Sequence, residues 1–462
     1  MLFNSYPFVF VFLPAVLVGF FLLRRQRFRL AYVVGASYVF YAYEEWWFPA
    51  LMVGSTAISF GAGLLIERTP AGRRQGWTLA AGIAGCLALL AFFKYAAFLA
   101  GYASSVVATI TAPGLPSLER FTEDILLPAG ISFYTFEAIS YMVDVKRGTI
   151  PAERNPLRYA FFISFFPHLI AGPIVRYGKL GPQLERMYRF DPDLFRGGIL
   201  LFTLGLAKKV LVADGIAFRI DPLLTDPAAL GLLDGWAVML GYSFQIYFDF
   251  SAYTDMALGL AMLFGIELPW NFDRPYRAAS PSEFWRRWHV TLSSWLRDYL
   301  YIPLGGNRKG PVRRDLNLLA TMGLGGLWHG ASGNFLVWGL WHGTLLFGHR
   351  RVAGLPLRLP RAAAIAITFV LVTIGWVFFR LTSAGDIFDM LAAMAGLNGA
   401  GSLLGGLLPY LAVAGILMWG VPEEWRWNLR EWGPRRAAAV GALGGLVLVL
   451  MNTTQKFIYF QF

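Results

Sequence analysis

Between Asp315 and His349 the chain runs for 33 residues, Leu316 to Gly348, without a single Asp, Glu, Lys or Arg. As one α-helix this stretch would be about 50 Å long, against a bilayer hydrocarbon core of about 30 Å. It must be broken, or dip into the bilayer and return, and Gly323, Gly325, Gly326, Gly330 and Gly333 are the places where the backbone can bend. His329 and His342 are the only titratable side chains within it. An imidazole left unbonded in such surroundings is costly, so each should be hydrogen-bonded or used. The pentapeptide GLWHG occurs twice, 13 residues apart. On an unbroken helix that spacing puts the two histidines roughly 140° apart, so both can face one site only if the helix breaks.

The rest of the chain belongs to the same solvent. Of 462 residues 56% are hydrophobic and only 15% charged, which describes a polytopic membrane protein. The 16 Trp, 20 Tyr and 39 Phe exceed what lipid-facing helices need and imply interfacial belts plus an aromatic-lined interior. A net charge of +12 could mark a nucleic-acid partner, but the basic residues fall in short clusters between apolar spans, so topology accounts for them and no nucleic acid is expected. The single cysteine, Cys86, lies in an apolar run and offers neither a disulfide nor a thiolate site.

Charge asymmetry orients the spans. Residues 7–23 cross inward to Arg24, Arg25, Arg27 and Arg29, 30–43 cross outward to the acidic EEWW, and 48–66 return to ERTPAGRRQG. A further span starts near Thr78, and 102–124 form a polar connection. The stretch PAGISFYTFEAISYMVDVKRG ends in a basic loop placed in the cytoplasm. The segment 159–175 carries Pro167 and Pro173 and reads as re-entrant, since broken backbone is tolerated only where protein or water covers it. Between Asp273 and Asp315 nine basic and four acidic residues alternate with Trp285, Trp288 and Trp295, a pattern for amphipathic helices lying in the plane of the cytoplasmic face. Spans at 362–379, about 401–420 and 437–451 follow, which leaves both termini outside the cytoplasm.

Five histidines are present, and helix-packing hydrogen bonds are the ordinary role of each. His349, beside Arg350 and Arg351, reads as interfacial, and His168 as bonded to backbone freed by Pro167. His289 and His329 differ because both sit where the basic in-plane segment meets a glycine-broken apolar one, a place that water could reach. A neutral imidazole there suits a general base that takes the proton of an incoming hydroxyl. No HExxH, no CxxC and no GxSxG is present, so neither a metal site nor a serine hydrolase is supported. On these residues alone an acyl-transfer enzyme and a proton-coupled transporter with a histidine relay stand level, although no inverted repeat is visible.

Several long, ordered motifs break the tie. LPAGISFYTFEAISYMVDVKRG, SFFPHLIAGPIVRY, the run from QIYFDFSAYTDMALG to RDYLYIPLGGNR, GGLWHGASGNFLVWGLWHG and KFIYFQF resemble the membrane-bound O-acyltransferases, and among them the bacterial alginate O-acetyltransferase subgroup. The resemblance implies an all-α polytopic fold, a single membrane-embedded domain over 1–462 with its catalytic core at about 126–350. It also implies a ring of tilted transmembrane helices around a central funnel. The family's histidine falls on His329 and its second polar position on His289. Acetyl-CoA is the implied donor, its phosphates docking near Arg286, Arg287 and Arg297, with no bound cofactor and no metal. The implied activity is O-acetylation of an extracytoplasmic polysaccharide from the bacterial inner membrane, together with periplasmic or membrane-anchored acetyltransferase proteins. Peptidoglycan O-acetylation and D-alanyl transfer to teichoic acid are the alternatives within the family.

The residues FIYFQF at 457–462 admit two readings. They form an aromatic anchor at the outer interface, or Tyr459 is an acyl relay whose phenol, activated by a nearby imidazole, takes the acetyl group and presents it outside. The second draws on a similar tyrosine motif in a partner subunit of D-alanylation systems. The threading itself is checked by topology reporters: one inserted near Gly310 should read as cytoplasmic and one after Phe462 as extracytoplasmic, and both on one side would overturn it.

Overall fold

The computed structural model describes residues 1–110, 127–185, 187, 189–352, 359–402, 405–420, 433–451 and 457, with backbone alone at 97–110. Among them every regular element is helical, the all-α architecture that the sequence implies. Three helices, Phe48–Arg68, Arg73–Ala96 and Arg361–Arg380, are long and apolar enough to cross a membrane, and Pro7–Leu22 and Leu408–Gly420 are shorter apolar helices. Two compact units form, Met1–Phe190 with Phe264–Leu268, and Asp191–Leu263 with Pro269–Phe462.

In the first unit a π-helical turn, Pro7–Phe12, leads into α1 (Leu13–Leu22), then α2 (Gln26–Ala42), α3 (Phe48–Arg68), α4 (Arg73–Ile110), α5 (Ile131–Arg147), α6 (Pro156–Ser164), α7 (Phe166–Leu169) and α8 (Tyr177–Leu180). Helix α4 continues through 102–110, where the sequence suggests a connection; the remainder of that connection lies outside the described residues. The segment 159–175 is broken as its prolines require. Asn155 caps α6 by accepting from the N–H groups of Leu157 and Arg158. The helix stops at Phe165, whose ψ of 107° turns the chain before Pro167. The Phe166 N–H then donates to Ser37 Oγ rather than to the Phe162 carbonyl, and that carbonyl is within 3.0 Å of His168 Nε2. Glu137 of α5 completes the repair, with Oε1 accepting from the Val175 N–H at 3.0 Å and Oε2 lying 3.4 Å from His168 Nε2. His168 thus makes the local backbone bond expected of it, with a carboxylate partner that the sequence did not suggest.

The second unit begins with α9 (Pro192–Ala207), capped by Asp191, which passes through a π-helical turn, Lys208–Ala213, into α10 (Asp214–Ile220). Helix α9 lies along α11 (Leu232–Leu263), whose 32 residues are almost all buried. There follow α12 (Pro281–Arg287), α13 (Val290–Leu296), α14 (Gly310–His329), α15 (Gly333–Val352), α16 (Arg361–Arg380), α17 (Ala384–Met394), α18 (Leu408–Gly415) and α19 (Pro434–Leu450). The π turn swings two lysines against α11. Lys209 Nζ lies 2.7 Å from Asp214 and 2.8 Å from Asp249, and Lys208 pairs with Asp255. One cation holds two carboxylates in a place where any unpaired charge is expensive.

The uncharged 33-residue run is a helical hairpin. It breaks at 330–332, so α14 ends on His329 and α15 starts at Gly333. Gly326 and Gly339 let the two backbones touch: a Cβ on Gly326 would collide with the Phe335 carbonyl, and one on Gly339 with the Met322 carbonyl. At the far end Asp315 of α14 bonds Arg314 at 3.0 Å and Arg351 of α15 at 3.1 Å. The 140° separation of His329 and His342 therefore does not apply, because no continuous helix joins them.

Removing Lys209 tests the buried ion network. Lys209→Met leaves Asp214 and Asp249 facing each other and should cost about 3–5 kcal/mol, read as a lower melting temperature of the detergent-extracted protein. Adding Asp214→Asn and Asp249→Asn should restore most of it; no recovery in the triple variant would mean that the network's contribution is not electrostatic.

Candidate active site

The in-plane segment folds as the alternation of Trp and Arg suggests, in short helices that bury Phe284, Trp285, Trp288, Trp295 and Leu296 and turn Arg286 and Arg297 to solvent. Ser280 caps α12 by accepting from the Glu283 N–H. Burial pushes the Glu283 carboxyl up, but the Ala279 N–H and the Arg287 guanidinium outweigh it and hold the carboxyl below the usual carboxylate range. Arg287 is held by Glu283 at 3.0 Å and Asp273 at 3.1 Å, so its charge is already engaged. Arg297 pairs with the neighbouring Asp298 at 2.7 Å.

His289 sits between α12 and α13 in the left-handed region, φ 42° and ψ 54°. Such backbone costs on the order of 1–3 kcal/mol in a non-glycine residue and persists only where the surroundings enforce it. Here the enforcement is visible. The Asn271 carbonyl accepts from the Val290 N–H at 2.9 Å, and Asn271 Oδ1 accepts from the Thr291 N–H at 3.1 Å and from Thr291 Oγ1 at 2.9 Å. The same Oδ1 lies 3.2 Å from His289 Nδ1. Because the Thr291 amide can only donate, Asn271 Oδ1 is the acceptor throughout, and His289 carries its proton on Nδ1. Its Nε2 is then a lone pair, fully buried and without a hydrogen-bond partner among the described residues.

His329, the last residue of α14, is buried within an aromatic enclosure. Its ring lies 4.9 Å from Trp328, 5.1 Å from Trp338 and 5.2 Å from Phe379, each edge to face. Trp328 also lies 6.2 Å from His289, so one indole touches both histidines. His342 comes to the other side of Trp338 at 5.0 Å, stacked on Phe284 and edge-on to Trp285 at 5.2 Å. The hairpin break thus gathers His289, His329 and His342 around shared indoles. Sequence reasoning missed Asn271, Trp285, Trp328 and Trp338; only the GLWHG echo pointed toward Trp328. Tyr459 lies outside the described residues. Phe457, two positions before it, is buried, stacked on Tyr253 at 4.6 Å and 6.1 Å from Phe250, and Phe250 lies 4.8 Å from His289.

A buried imidazole with a fixed lone pair beside a second histidine, in an apolar helical chain with no nucleophile elbow, is the equipment of base-assisted transfer within a membrane. The chain belongs to the membrane-bound O-acyltransferase family, whose model matches residues 146–384. It is an integral membrane enzyme, an O-acetyltransferase. It is similar to a probable alginate O-acetylase of Pseudomonas putida, 44% identical over 403 residues, which cover 85% of this chain and 80% of the relative. It is also similar to a peptidoglycan O-acetyltransferase of Helicobacter pylori, 37% identical over 435 residues, 86% of this chain and 80% of the relative. A teichoic acid D-alanyltransferase of Bacillus subtilis is more distant, 29% identical over 273 residues, 54% of this chain and 68% of the relative.

The Asn271 node yields a direct test. Asn271→Ala removes the acceptor that fixes the His289 tautomer and should lower acyl transfer at least about tenfold per folded protein, whereas Asn271→Asp keeps an acceptor and should retain more. Equal activity in wild type and Asn271→Ala would show that the tautomer does not matter.

Proposed function

We propose that the protein takes acetyl groups from acetyl-CoA on the cytoplasmic side of the bacterial inner membrane and passes them outward for O-acetylation of an extracytoplasmic polysaccharide of the alginate type. The observation that carries this reading is the tautomer-locked His289 joined through Trp328 to His329, in a chain 44% identical to a probable alginate O-acetylase. His329 accepts the proton of the attacking hydroxyl, and His289 Nε2 accepts a hydrogen bond that orients it. Exposed Arg286 and Arg297 meet the donor phosphates, while Arg287 holds the segment in shape.

Tyr459 is the proposed relay, its phenol receiving the acetyl group before a periplasmic or membrane-anchored acetyltransferase carries it to the sugar. The burial of Phe457 against Tyr253 and Phe250, next to His289, supports a route for this segment into the site rather than an anchor at the interface. Peptidoglycan is the second acceptor to consider, favoured by the Helicobacter relative covering 86% of this chain.

His329→Ala should lower acetylation by about 10²–10⁴-fold without loss of protein from the membrane, and His289→Ala should be severely impaired. Tyr459→Phe keeps the ring and removes the oxygen, so polymer acetylation should be lost, and mass spectrometry should find an acetylated 457–462 peptide in wild type only. Normal acetylation by Tyr459→Phe ends the relay, and normal acetylation by His329→Ala ends the whole assignment. The released ester, on uronate polymer or on muropeptides, decides the acceptor.

A further inference from the structure

Buried indole N–H groups in the second unit normally find an oxygen. Trp236 Nε1 donates to the Met394 carbonyl at 2.9 Å, Trp341 Nε1 to the Leu371 carbonyl at 3.0 Å, and Trp376 Nε1 to Tyr276 Oη at 3.1 Å. Trp338 and Trp285 break this pattern. Their Nε1 atoms are buried with no hydrogen-bond partner among the described residues, and so are both ring nitrogens of His342. These three side chains are neighbours: Trp285 lies 5.8 Å from Trp338 and 5.2 Å from His342. Trp338 is also the residue set edge-on, at 86°, against His329.

An unmatched buried donor costs about 1–3 kcal/mol, and several in one wall call for a reason. The wall is otherwise dry, closed by Phe284, Trp376 and Phe379. Whatever tautomer His342 adopts, one nitrogen is a donor, so the wall offers up to three N–H groups and no counter-charge. Such a surface is complementary to a carbonyl oxygen that becomes negative during reaction.

We propose that the Trp338 and Trp285 indole N–H groups, with His342 beside them, bind the thioester carbonyl oxygen of the acyl donor and stabilise its oxyanion. The inference rests on the thioester reading above and names the electrostatic partner that the two-histidine site lacks. The hydroxyl oxygen bonds to the carbonyl carbon as its proton passes to His329. The carbonyl π pair moves to oxygen, where the indole N–H groups hold it. Collapse re-forms the carbonyl and breaks the C–S bond, and the leaving thiolate takes the proton from His329.

The test uses the full-length protein in liposomes with acetyl-CoA, reading thiol release together with thermal unfolding. Trp338→Phe and Trp285→Phe keep an aromatic ring and delete only the N–H. Each should lower kcat by about 10²–10³-fold with KM within about threefold and the melting temperature unchanged, since no protein hydrogen bond is lost. Trp236→Phe, which deletes an N–H already bonded to protein, should do the reverse, lowering the melting temperature and sparing kcat. Wild-type kcat in both wall variants overturns the inference and leaves the thioester reading intact. A wall variant that loses stability as Trp236→Phe does, with activity following the folded fraction, assigns that indole to packing and overturns the inference. Failure of wild type to release thiol from acetyl-CoA sinks both.

Discussion

The backbone contact between α14 and α15, with Gly326 against the Phe335 carbonyl and Gly339 against that of Met322, fixes where everything else in the site can be. Helices in a membrane gain little from expelling water, so they associate where small residues let dispersion and backbone contacts build up. Here that association folds an apolar run too long for one span into a hairpin. The fold-back puts His329 at a helix end, where its ring meets Trp338 four residues into the returning strand of the hairpin rather than its own helix face. Any side chain at either glycine would push the helices apart and move His329 away from Trp338 and Phe379.

A second constraint acts on His289. Two non-glycine residues in this chain adopt positive φ among the described residues, Arg274 and His289. Both belong to the stretch that Asn271 organises, and the backbone there is tied twice more, Asp273 N–H to the Arg287 carbonyl and Val290 N–H to the Asn271 carbonyl. Strain of this kind survives when many bonds impose it at once. The gain is a histidine whose ring is aimed by backbone and whose proton is placed by one amide oxygen. It meets Trp328 from outside the α14–α15 hairpin that carries His329.

The sequence made parts of this legible for identifiable reasons. The break in the 33-residue run followed from length against bilayer thickness, and the breaks near Pro167 from lost N–H donors; both are local consequences of covalent structure. His329 and His289 stood out because imidazoles are rare in such surroundings. Asn271, Glu137 and Lys209 did not, since each matters through a partner distant in sequence: Thr291 and His289 for the first, His168 for the second, Asp249 for the third. The π-helical turn at Lys208–Ala213, which brings two adjacent lysines onto α11, has no composition signature. Asp249 and Asp255 inside FDFSAYTDM were visible as charges in an apolar frame and could have prompted a search for buried cations. The 140° argument about His342 failed because it assumed continuity across the very glycines that were expected to bend.

The two kinds of polar burial in the second unit also divide the labour. Around Lys209 every charge is answered by an opposite one, so the cluster can hold α9, α10 and α11 together without asking anything of a ligand. Around Trp338 the polar atoms are neutral and point at no protein acceptor, so the cluster adds little to cohesion. A neutral donor wall suits chemistry in which charge appears only at the transition state. A lysine or arginine there would bind the ground-state carbonyl, and any stray anion, more strongly, and would itself need a counter-ion in a medium that does not screen. Preorganised N–H dipoles gain most from the oxyanion and least from the resting thioester, which is the difference that lowers a barrier. In a site that must stay dry between turnovers, leaving the donors unmatched is the less costly of the two arrangements.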